Sequence, residues 1–231
     1  MMKTDTATSG KALCPKCNEV ETDTFAIAGR HFPVMCDACD AAMKLEEEVE
    51  AQAKLDQARN VYIENEIPRL YCDSDVSRFP ATWEQVSQWK GGPRGILLVG
   101  DTGKCKTRML CELVARRHRD TGERFNFMRS SLLAKLVRQQ FGDHEPWVAK
   151  QKLNRLARVP VLVVDDLGKQ ASTPVVEEEF FDLIEERVSA GLPLLISANA
   201  TRAELEAMFS ADRGRPLVRR IAEFCETLIV S

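Results

Sequence analysis

Apolar and polar positions are ordered differently in the two parts of the chain. Residues 44–66 contain neither proline nor glycine and are rich in Glu, Ala, Lys and Gln, with sparse apolar positions at Leu45, Val49, Leu55, Val61 and Ile63. This predicts an exposed connecting helix, ended by Pro68. Residues 69–95 mix short polar runs with Trp83 and Trp89 and close on the breaker Gly91-Gly92-Pro93. From there strands and helices alternate. Residues 95–99, 125–128, 159–164 and 192–197 read as short apolar strands. Residues 107–118, 131–141 and 176–189 read as helices, the second with Leu132, Leu133, Leu136 and Val137 on one side. Strands with no polar alternate are buried on both faces, as in a parallel sheet covered by helices. The expected class is α/β.

Composition narrows the choice. With 231 residues, 44% hydrophobic and 29% charged, the chain suits one ordinary domain plus a small appendage. No window approaches the run of about 20 apolar residues that a membrane span needs. The first 16 residues are polar and carry no apolar signal segment, so a cytoplasmic protein is expected, with no membrane partner. The net charge of −3 hides an asymmetry: residues 104–158 hold 14 basic and 5 acidic residues. Such a block is either a solvated face or the footprint of a polyanion.

Four of the 8 cysteines form two Cys-x-x-Cys pairs, Cys14 with Cys17 and Cys36 with Cys39. Each pair aims two sulfurs at one point, and the gap between the pairs matches a four-cysteine Zn²⁺ site. Two disulfides or four unrelated thiols are the competing readings, and a chain without an export signal disfavours disulfides. With every ligand position filled by cysteine, such a zinc is structural, and its binding supplies most of the module's folding energy. Cys72, Cys111 and Cys225 read as buried small apolar residues.

The first strand runs into Gly100-Asp101-Thr102-Gly103-Lys104-Cys105-Lys106-Thr107, followed by Arg108 and a helix. Gly100, Lys106 and Thr107 match the phosphate-loop pattern G-x-x-x-x-G-K-[ST], and Cys105 stands where the second glycine belongs. Backbone N–H groups of residues 100–108 would cradle the phosphates of ATP, Lys106 would reach the β- and γ-phosphates, and Thr107 would bind Mg²⁺. The run Val161 to Val164 then ends in Asp165-Asp166. An apolar strand ending in carboxylates at the sheet's C-terminal edge suits Mg²⁺ at Asp165 and water polarisation by Asp166; a solvated Asp-Asp turn is the plain alternative. A third strand ends in Ser197-Ala198-Asn199, where Asn199 either orients the lytic water or caps the next helix. Residues 212–221 are dense in arginine, which reads either as surface charge or as an arginine finger.

Taken together, these residues resemble the DnaC/DnaI-type replicative helicase loaders and the related IstB-type transposition ATPases of the AAA+ family. The resemblance runs over residues 66–231, through Ile67-Pro68-Arg69, the phosphate loop, Val164-Asp165-Asp166-Leu167-Gly168, Ser197-Ala198-Asn199 and the arginine box. With the zinc module read at 1–43 and the linker helix at 44–67, it implies a P-loop ATPase domain at 68–231 without a C-terminal lid. It also implies that Asn199 is a sensor, that Arg215 or Arg220 is the finger, and that ATP drives self-association. Single-stranded DNA would lie on basic residues, with Arg129, Lys135, Arg138, Lys150, Lys152 and Arg155 as candidates, and a replicative DNA helicase would be the protein partner. The zinc module favours a loader over an IstB-type protein. Cys105 departs from the family pattern, so weak turnover, or a nucleic-acid adaptor with a degenerate loop, stays open. Flanked by Lys104 and Lys106 at a helix start, Cys105 is either a reactive thiol that ATP protects or an inert thiol tolerated by the loop.

Overall fold

The computed structural model describes residues 10–72, 74–142, 145–168, 173–210 and 212–230. Residues 1–9, at the head of the expected zinc module, lie outside the described residues. The chain divides into two compact units between Ala58 and Arg59.

In the first unit β1 (Lys11–Leu13), β2 (Glu21–Ile27) and β3 (Arg30–Pro33) form an antiparallel sheet in the order β1-β2-β3. The β2–β3 turn places Ala28 and Gly29 at φ +50° and +77°, the two-residue geometry whose twist matches a hairpin. No strand is expected here from the sequence, because the segment is short and polar. Helix α1 (Asp37–Glu66) begins seven residues earlier than the composition predicts. Its first turn includes Cys39, and Asp37 and Asp40 sit there, where the helix dipole favours acids. Along α1, Leu45, Val49, Leu55 and Val61 are exposed and Ile63 is buried.

The second unit contains α2 (Arg69–Cys72), α3 (Pro80–Ser87), β4 (Gly95–Gly100), α4 (Lys106–Thr121), β5 (Phe125–Arg129), α5 (Ser130–Gln139) and α6 (Pro146–Arg158). It continues with β6 (Val161–Leu167), α7 (Pro174–Ser189), β7 (Leu194–Ala198), α8 (Arg202–Ala207), α9 (Gly214–Phe224) and β8 (Cys225–Val230). The five strands are parallel, in the order β5-β6-β7-β4-β8. The fold is therefore α/β, as the unbroken apolar runs predict. Leu97 and Val99 face a core shared with α7 and α9, whereas Ile96 and Leu98 face the one built on α4. Both faces of β4 are thus covered, which removes the polar alternate.

The sequence pattern does not predict five elements of this unit: α2, α3, α6, α9 and β8. Of the three cysteines expected to be buried, Cys111 and Cys225 are, but Cys72 is only partly so. Among the described residues no helix is long and apolar enough to cross a membrane.

Candidate functional site

Strand β4 delivers the loop and α4 receives it, with five residues between them. At Gly100 a Cβ would meet the Val230 carbonyl at 2.2 Å, so glycine is what lets β8 lie against the loop's entry. Cys105 takes φ +54°, the left-handed conformation that explains why glycine is usual at this position. As the N-cap of α4 it supplies no side-chain cap, which suits a helix end built to receive an anion. Lys106 is buried, and its Nζ donates to the carbonyls of Gly100 at 2.8 Å and Asp101 at 2.7 Å. Asp101, Thr102 and Gly103 are exposed, Lys104 is half-buried, and Arg108 lies over the Tyr71 ring at 5.6 Å. Burial, and after it the Asp165 charge, pushes the Tyr71 phenol up from its ordinary range.

β6 carries the acids, and β7 lies between it and β4. Asp165 is buried, and its Oδ1 accepts from Thr107 Oγ1 and Ser197 Oγ, both at 2.6 Å. Consecutive strand residues normally point to opposite faces. Here the β6–β7 register shifts between Val164 and Leu167, and Asp166 takes φ +57°. This bulge re-aims Asp166, whose Oδ1 accepts from Asn199 Nδ2 at 2.6 Å. Its N–H donates to Ser197 Oγ at 2.9 Å and its carbonyl accepts from Ser130 Oγ at 2.6 Å. The structure therefore brings Thr107, Asp165, Asp166 and Asn199 into one hydrogen-bonded group. Asn199 is not the helix cap: Thr201 and Glu204 form a capping box on α8 and leave Asn199 for Asp166. Ser130 and Ser197 bind this group together and have no assigned role in the sequence reading. The one polar residue inside the apolar run of β7 is the signal that marks Ser197.

The two arginine candidates both lie on α9, in different settings. Arg220 grips Glu185 of α7 through Nε and, at 2.6 Å, through Nη2, and it also meets Glu223. Arg215 is exposed and makes no hydrogen bond or ion pair with a described residue. Arg129, Lys135, Arg138, Lys150, Lys152 and Arg155 are all exposed, at the end of β5 and on α5 and α6. Lys135, Lys152 and Arg155 line a groove of 720 Å³, where Glu66 accepts from Arg155 at 3.1 Å and from Asn126 at 2.7 Å.

In the first unit Cys14 and Cys17 flank the turn after β1, and Cys36 and Cys39 open α1. All four Sγ atoms lie within 4.8 Å of one another, Cys17 and Cys36 at 3.9 Å. A tetrahedron with Zn–S bonds of about 2.3 Å has edges of about 3.8 Å, so the sulfur set fits that ion. The Cys36 N–H donates to Cys14 Sγ at 3.4 Å, and this and neighbouring backbone donors pull the Cys14 thiol down to about 6.

Residues 86–230 match the family described as IstB-like ATP binding protein. The replicative helicase loader DnaI of Bacillus subtilis (strain 168) is 23% identical over 237 aligned positions, spanning 94% of this chain and 74% of its own length. The crystal structure of DnaI superposes with a TM-score of 0.57 at 19% identity, covering 71% of this chain and 95% of that one. The crystal structure of the DnaC helicase loader gives 0.56 at 22% identity, covering 73% and 98%. At these identities the two structural likenesses establish the fold.

Proposed function

The chain belongs to the IstB-like ATP-binding proteins, an AAA+ branch, and from that premise we propose that it is an ATP-dependent loader of a replicative DNA helicase. One observation carries the choice within the family. Similarity to the Bacillus loader runs through 94% of the chain and so reaches into the first unit, whereas the family match, residues 86–230, lies within the second.

In this reading Lys106 leaves the carbonyls of Gly100 and Asp101 for the β- and γ-phosphates, and residues 100–108 wrap the chain of phosphates with backbone N–H groups. Thr107 and Asp165, joined at 2.6 Å, would hold Mg²⁺, which would supply neutralisation of the phosphate charge. Asp166 takes the proton side of the attacking water, and Asn199 orients that carboxylate. The finger, from Arg215 or Arg220, reaches the nucleotide of a neighbouring copy; Arg220 must first leave Glu185. Cys14, Cys17, Cys36 and Cys39 hold Zn²⁺, which staples the module that meets the helicase. Single-stranded DNA lies along the exposed cations of α5 and α6.

Co-purification with a replicative helicase, with and without ATP, tests the reading. Binding that depends on the four cysteines supports a loader, and none under either condition refutes it. The strained Cys105 favours a second reading, an adaptor whose loop binds nucleotide without hydrolysis. A turnover assay on Lys106→Ala and Asp166→Asn against the parent separates the two, since inactivity in all three supports the adaptor.

A further inference from the structure

Arg129 is the last residue of β5, and the sequence pattern groups it with the cations of α5 and α6. The strand register gives it different company. β5 and β6 run parallel, with Phe125 beside Val161, Phe127 beside Val163 and Arg129 beside Asp165. Alternate residues of a strand share a face. Phe125, Val161 and Val163 are buried in the core built on α4, and Phe127 packs against it. Arg129 therefore stands on the α4 face of the sheet. It is one strand spacing, about 4.8 Å, from the acid that accepts from Thr107 Oγ1. Tyr71 gives the same placement from a second direction. Its ring lies 6.2 Å from that of Phe127. Burial aside, the charges acting on its phenol include Asp165, which raises it, and Arg129, which lowers it.

The cations around this group differ in what holds them. Lys106 donates to the carbonyls of Gly100 and Asp101, and Arg108 lies over the Tyr71 ring. Arg129 is exposed and makes no hydrogen bond or ion pair with a described residue, although Asp165 and Asp166 stand on the adjoining strand. A guanidinium held in that position keeps its fork of N–H donors for an oxyanion. The pair Thr107 and Asp165, which would hold the metal, marks the γ end of a bound triphosphate. A diphosphate stops short of that end.

We infer that Arg129 is the residue by which the site tells ATP from ADP, its guanidinium binding the γ-phosphate within the same subunit. This rests on the nucleotide binding proposed above. It adds a contact made from β5, separate from the finger that a neighbouring copy would donate.

Calorimetry on the full zinc-loaded chain, titrated with Mg²⁺ and either ADP or the non-hydrolysable β,γ-methylene analogue of ATP, reads the contact without turnover. Arg129→Ala is expected to weaken binding of the analogue about tenfold or more, as loss of a charge-assisted hydrogen bond does, and to leave ADP affinity unchanged. Arg129→Lys, which keeps the charge but not the fork, falls between the alanine variant and the parent. Arg124→Ala, at the other end of β5, removes the same charge and alters neither nucleotide. Both arginines are exposed, so the thermal midpoint stays with the parent's in all three variants. Full affinity for the analogue in Arg129→Ala, an equal loss on both nucleotides, or the same loss in Arg124→Ala overturns the assignment. So does a loss confined to oligo(dT) binding, which would return Arg129 to the single strand. A parent protein that binds neither nucleotide overturns the nucleotide site itself, and the assignment with it.

Discussion

Cys105 concentrates the chemistry of the loop in one residue. A left-handed conformation costs an L-residue about 1–2 kcal/mol, while glycine gives back up to about 1 kcal/mol of that in chain entropy. Cys105→Gly is therefore expected to leave the thermal midpoint within a few degrees of the parent. By removing the side chain from the phosphates' path it should tighten Mg-ATP binding several-fold in calorimetry; unchanged affinity would show that the thiol is no obstacle. Alkylation of Cys105 should slow when Mg-ATP is present, and equal rates would remove the idea that the nucleotide covers it. Arg187 shows a different kind of residue effect. It lies in the predicted helix 176–189 and is fully buried. Its guanidinium donates to the carbonyls of Leu156 at 2.7 Å, Val159 at 2.9 Å and Pro193 at 2.7 Å. It thereby ties the C-terminal end of α6 to the starts of β6 and β7. Burial pulls it down to about 10, far above neutral pH, so it stays charged. Arg187→Met strands several buried acceptors and should cost about 3 kcal/mol or more. In a chain of this size that is a fall of about 6–12 °C in the thermal midpoint.

At the scale of elements, the short break in β6 decides the site. Without the register shift, Asp165 and Asp166 would point to opposite faces; with it, Asp165 meets Thr107 and Asp166 meets Asn199. The apolar run and its terminal acids are visible in sequence, but the bulge depends on how β7 pairs. Helix α6 escaped the sequence reading because two of its three buried residues are alanines, which give a weak periodic signal beside so many cations. The four-cysteine module offers a test at this scale. All three tryptophans lie in the second unit. In the zinc-loaded protein that the proposal implies, removing the metal with a chelator should expose four more reactive thiols without shifting tryptophan emission. A shift would mean that the second unit depends on the metal as well.

For the whole molecule, the proposal predicts assembly. Mg-ATP should raise the sedimentation coefficient of the parent, and alanine at the finger should abolish that rise while nucleotide affinity stays. Arg215→Ala and Arg220→Ala distinguish the candidates. Arg220→Ala also breaks the contact with Glu185 and so should lower the thermal midpoint, whereas exposed Arg215→Ala should not. If neither variant alters assembly, the finger lies elsewhere.

What the chain's order of residues determined was local: strand, loop and helix around Lys106, the apolar strand ending in Asp165-Asp166, and two Cys-x-x-Cys turns. Each depends on spacing within a few residues, on glycine, or on burial on both faces, and these are written into the sequence directly. Only the tertiary structure decided which strands are neighbours. It set β7 between β4 and β6, put β8 against Gly100, and brought Ser130, Ser197 and Asn199 to the acids. It also separated the exposed Trp147 from the packed Trp83 and Trp89. Parallel pairing joins residues tens of positions apart, and the side chains that hold such pairs together carry no local pattern to read.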